Sequence, residues 1–77
     1  MSDYTADVLF HIDETLDDQG VNQLEHDMAL QQGARTACVN CDNPHLMLVD
    51  YDPMEVKAQA LLGTLASRGL HAELVGF

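Results

Sequence analysis

What most restricts this chain is the order in which its apolar spacing changes. In Asp7–Asp13, Val8, Phe10 and Ile12 alternate with Leu9 and His11, the period-two pattern of a strand. Val21, Leu24 and Met28 then fall at i, i+3 and i+7, the stripe of an amphipathic helix. Thr15-Leu16-Asp17-Asp18 reads as its capping box, with Thr15 at the cap and Asp18 reaching back, and Gly33 reads as its stop. Ala34–Val39 and Leu46–Tyr51 return to strand character on either side of the turn residues Cys41-Asp42-Asn43-Pro44, which makes them a hairpin. Asp52-Pro53-Met54-Glu55 predicts a second helix, with Asp52 as N-cap, Pro53 at the first helical position and Glu55 closing the box. That helix runs through Val56, Ala60, Leu61 and Leu65 to Gly69. His71–Phe77 is the last strand, with Ala72 and Leu74 on its inner side.

Strand, helix, strand, strand, helix, strand is the order of the split βαβ unit. It predicts an α+β, ferredoxin-like βαββαβ domain: a four-stranded antiparallel sheet with two helices on one face. A length of 77 residues leaves room for one such unit, so residues 1–77 read as a single domain. This fold hosts many functions and selects none by itself.

Charge removes several of them. The chain has 13 Asp and Glu, 3 Lys and Arg, and a formal net charge of −10. Arg35, Lys57 and Arg68 cannot neutralise a run of phosphates, which excludes nucleic acid, and the same deficit excludes an anionic membrane surface. Tyr4, Phe10, Tyr51 and Phe77 make no set of base-stacking platforms. The sequence has no 18-residue apolar run of the kind that spans a membrane. Met1–Asp7 carries acids where a secretory leader needs positive charge, so a cytoplasmic location is expected. In that compartment two cysteines imply reduced thiols, a metal site or a redox pair rather than a structural disulfide. Nothing groups a nucleophile with a base and an orienting residue, and Arg68 stands alone where an anion site would be needed. The chain is therefore not expected to be an enzyme.

Phe10-His11-Ile12-Asp13, Val49-Asp50-Tyr51-Asp52-Pro53 and Ser67-Arg68-Gly69-Leu70-His71-Ala72-Glu73-Leu74 resemble the heavy-metal-associated domain of copper chaperones and of metal-transporting P-type ATPases. The resemblance covers nearly the whole chain and implies the ferredoxin-like fold and a metal-carrying role. That family carries Gly-Met-x-Cys-x-x-Cys between its first strand and first helix. The matching stretch here is Glu14-Thr15-Leu16-Asp17-Asp18-Gln19-Gly20, with Asp17 and Gly20 at the two cysteine positions and Thr15 at the methionine position. No metal ligand of the family carries over residue by residue.

A Cys-x-x-Cys does occur elsewhere, as Cys38-Val39-Asn40-Cys41, with His45 four residues on. Thiolates and imidazole suit Cu(I) or Zn(II). Strand direction brings His11, Cys38, Cys41, His45 and His71 to one end of the sheet. Cys38, Cys41 and His45 are the candidate metal ligands. His11 and His71, each facing the open side of neighbouring strands ~4.8 Å apart, form a second candidate cluster as cross-strand partners. A cysteine packed as a small hydrophobe and a redox pair remain alternatives, although a hairpin lacks the helix N-terminus that lowers a thiol pKa. Met28, Met47 and Met54 have the spacing of core positions.

Two functions follow. One is a small metal-binding or metal-carrier-like domain for Cu(I) or Zn(II), its acidic surface docking to a basic protein partner. The other is a metal-free interaction module that keeps the fold. An apolar patch of Leu9, Leu48, Val75 and Phe77 on the open sheet face would then support a homodimer.

Overall fold

A computed structural model describes residues 5–76. The elements are β1 (Ala6–Ile12), α1 (Asp18–Ala29), β2 (Ala34–Val39), β3 (Leu46–Tyr51), α2 (Ala58–Ser67) and β4 (Ala72–Gly76). The strands make one antiparallel sheet in the order β2-β3-β1-β4. β1 and β2 therefore run parallel with β3 between them, which is the expected ferredoxin-like topology. Tyr4 and Phe77, and with Phe77 one corner of the expected open-face patch, lie outside the described residues.

Alternation along the strands builds the core. Val8, Phe10 and Ile12 of β1, Met47 and Val49 of β3 and Val39 of β2 are buried against Leu24 and Met28 of α1 and Leu61 and Leu65 of α2. Each large side chain here contributes roughly 1.5–3 kcal/mol by leaving water. Leu74 stands opposite Phe10, on the inner side as expected, but is 38% exposed because β4 is an edge strand covered from one flank only. Leu9 pairs with Gly76 and Phe10 with Leu74, so Val75 is an extra residue at a bulge. Met54 is not a core residue: it is 82% exposed.

The helix starts differ from the sequence expectation. α1 is capped by Asp17, not Thr15; the Asp17 carboxylate accepts from the Gly20 amide at 2.7 Å, the third helical amide. α2 begins at Ala58 rather than Pro53. Asp52 does close a turn: its side chain accepts from Met54 N–H at 2.8 Å and its carbonyl from Glu55 and Val56 N–H. The chain then extends through Lys57 (φ −98, ψ 151), because Val56 packs against the core and over Gly33. Tertiary packing thus overrides a local helix signal. The end of α2 follows expectation. Gly69 (φ 83) lets Leu70 N–H reach the Leu65 carbonyl and Gly69 N–H the Ala66 carbonyl, a Schellman closure with both leucines on the core.

Two polar links tie layers together. The Glu25 carboxylate of α1 accepts from Val39 N–H of edge strand β2 at 2.7 Å, and Arg68 pairs with Asp27 across the two helices. Arg68 is therefore already engaged. Neither described helix covers the opposite face of the sheet. Leu9, Cys38, Asn40, Leu46 and Leu48 line an open depression there of about 270 Å³. No helix among the described residues is long and apolar enough to cross a membrane.

Candidate metal-binding end of the sheet

β1 and β2 end, and β3 and β4 begin, at one end of the sheet. The five residues singled out from the sequence gather there, but not in the pairings expected. Cys38 lies opposite Leu48 and beside inward-facing Val39, so it faces the open side. Cys41 sits in the following turn and lines a different depression on the α1 side, with Val21, Glu25, Val39 and Pro44. Both thiols are free and exposed. Among the described residues, no three or more His, Cys, Asp or Glu side chains are arranged to hold one metal ion.

His45 precedes β3 and is half-buried. Its Nδ1 lies 2.7 Å from the Ile12 carbonyl oxygen. A carbonyl only accepts, so Nδ1 carries the proton and donates. The His45 ring stacks on that of His11, with centroids 5.8 Å apart and planes at 15°. His11 turns its own Nδ1 inward, 3.4 Å from Asp13 Oδ1, where that nitrogen is buried without a hydrogen bond.

His71 is not the cross-strand partner of His11. The register pairs His11 with Glu73 and Ile12 with Ala72, and Asp13 N–H donates to the His71 carbonyl at 2.8 Å. His71 thus stands opposite Asp13, about 7 Å along the strand from the expected place. Its exposed ring goes to Glu14 instead: Nδ1 is 2.5 Å from Oε2, and the His71 amide donates to Oε1 at 2.7 Å. Hydrogen bonds from the His71 ring and amide hold the Glu14 carboxyl below its ordinary value of 4.5. The hydrogen bond to Glu14, and then its charge, raises His71 above its ordinary 6.5. Sequence reasoning missed Glu14. Only the β1–β4 register reveals its partner, because the two residues are far apart in the chain.

A four-stranded antiparallel sheet in the order β2-β3-β1-β4 with two helices, in the sequence βαββαβ, defines the ferredoxin-like class. No protein-family model and no curated protein matches the chain. Among solved structures, it is similar to the copper chaperone of Enterococcus hirae in its apo form. The match has a TM-score of 0.77 and 18% identity, covering 88% of this chain and 98% of that one. The likeness establishes a copper-chaperone-like fold over almost the entire length of that protein.

Proposed function

We propose that this chain is a small metal-carrier-like domain whose cargo is a soft ion, Cu(I) or Zn(II), taken up at the β2–β3 hairpin by Cys38 and Cys41 with His45 as third donor. The observation that carries this reading is the pair of free, exposed thiols on one hairpin, in a fold shared with a copper chaperone. Thiolates are the ligands that select soft ions. Uptake requires Cys41 to swing toward the open side. The turn is held by exposed hydrogen bonds from Asp42 and Asn43 N–H to the Asn40 side chain and from His45 N–H to the Asn43 side chain, with backbone bonds from Asn43 N–H to the Asn40 carbonyl and from Leu46 N–H to the Asn43 carbonyl. Each contributes only about 0.5–1.5 kcal/mol, so the movement is accessible. Reduced thiols fit the cytoplasm, and the net charge of −10 would speed encounter with a basic partner protein.

Native mass spectrometry under reducing conditions, with Cu(I) or Zn(II), tests the reading. One ion per chain is expected, with affinity at least 100-fold lower in a Cys38→Ser/Cys41→Ser variant. Equal uptake by parent and variant would overturn it. The uncovered depression around Leu9, Leu46 and Leu48 favours a second reading, a metal-free module that self-associates through its open face. Light scattering separates the two. A dimer mass that falls to the monomer in Leu48→Asp supports the second reading, and an unchanged mass rejects it.

A further inference from the structure

We infer that the uncovered face of the sheet docks an extended basic segment of a partner protein, one that presents an Arg two residues from a large apolar side chain. Register and alternation define the patch. β1 and β3 place Leu9 opposite Leu48 and Asp7 opposite Asp50. Val8 and Val49, which lie between them along the strands, are buried in the core, so these four side chains project to the face without helices. The two leucines line the depression described above, and Leu48 is 46% exposed. The two aspartates are arranged at a cost. Carboxylates directly opposite on neighbouring strands have Cβ atoms about 4.5–5.5 Å apart and repel. Asp50 is half-buried, and its Oδ1 is out of water with no hydrogen-bond partner. Among the described residues, no Lys, Arg or His pairs with either carboxylate.

Charge selects the occupant. A guanidinium is planar, carries five N–H donors and can face two carboxylates at once, so it compensates both charges where each is accessible. Along each strand the Asp and the Leu are two residues, about 7 Å, apart. An extended segment carries its own i and i+2 side chains at that spacing and on one side. Its Arg and its apolar residue therefore reach the acid pair and the leucine pair together. A second copy is disfavoured, because an isologous contact brings another Asp7–Asp50 pair onto the same face. The inference rests on the proposed reading only for its basic partner, and it needs neither thiol nor metal.

Fluorescence anisotropy with the labelled, capped peptide Gly-Arg-Thr-Leu-Thr-Arg tests it. The protein is reduced and metal-free, so that failure here and failure of the thiol reading are separate results. The salt is about 0.1 M, where charges more than ~10 Å apart are screened. The parent is expected to bind this peptide and not one with Glu in place of both Arg. Asp7→Asn/Asp50→Asn is expected to weaken binding at least tenfold, and Leu48→Ala at least threefold. Asp18→Asn/Glu55→Gln removes two exposed charges outside the sheet and is expected to weaken it less than twofold. Equal losses in the two charge variants, or no binding by the parent, would overturn the docking site. Urea unfolding gives an independent measure. Asp50→Asn keeps the side chain's shape and removes the repulsion, so its midpoint is expected to lie above the parent's. A lower midpoint assigns the charge to the fold and rejects the inference. A parent that scatters light as a dimer, split by Leu48→Asp, rejects it too by giving this face to a second copy.

Discussion

The end of the sheet where β1 begins is closed by a buried turn; the end where β1 finishes adds exposed side-chain bonds to its backbone ones. At the first, Asp52 N–H donates to the Gly33 carbonyl at 2.8 Å, Asp52 itself is buried, and Val56 lies over Gly33. At the second, His45 leans on a carbonyl, the largely exposed His71 leans on Glu14, and the hairpin turn is bridged by exposed asparagine side chains. The difference separates two duties. A buried turn closes one end, and the candidate donors of the proposed reading lie at the other, where exposed side chains can change or move at small cost to stability.

The two left-handed glycines give the largest test of that division. Gly33 has φ 86, and an added Cβ would lie 2.7 Å from Val56 Cγ1. Gly33→Ala is expected to cost about 2–4 kcal/mol, from the unfavourable φ and from overpacking. Gly69 has φ 83 but would meet nothing within 4 Å, so Gly69→Ala should cost only about 1–2 kcal/mol. Urea unfolding midpoints measure both, and equal losses would break the comparison. A smaller effect is expected for His45→Ala, which removes the hydrogen bond to Ile12 and should cost about 1 kcal/mol by the same measurement.

The smallest effect concerns pH. Glu14 is lowered from 4.5, so its contribution is present above that value and fades as pH falls through its folded pKa. His71 is raised from 6.5, so its contribution is full below that value and fades as pH rises through its folded pKa. The pair therefore stabilises most between these two ordinary values. NMR titration should place His71 above 6.5 in the parent, and Glu14→Gln should bring it back toward 6.5. An unmoved midpoint would show that Glu14 does not hold His71.

The fold was legible because period and order are local and redundant: β2 and β3 fall on the expected residues, and Leu24, Met28, Leu61 and Leu65 are buried as their spacing implies. The start of α2 was not, because Asp52-Pro53-Met54-Glu55 makes a turn that Val56 then cuts short to reach Gly33, a tertiary demand invisible in the local signal. At the candidate site, strand direction sufficed to gather His11, Cys38, Cys41, His45 and His71 at one end. Their pairings depended on finer things. The register put Glu73, not His71, beside His11, and the turn carried Cys41 to the helix side while Cys38 stayed on the open one.

Asp17 and Gly20, where β1 gives way to α1, are partners. The Asp17 carboxylate receives the Gly20 amide, and a Cβ at position 20 would sit 3.0 Å from that same oxygen. A thiol at 17 discards the cap, at about 1 kcal/mol, and one at 20 crowds it. Either change alone is therefore disadvantageous before any ligand pair exists to compensate. A thiol pair at positions 17 and 20 is therefore reached only through a less stable single variant, while donors elsewhere on the sheet meet no such barrier.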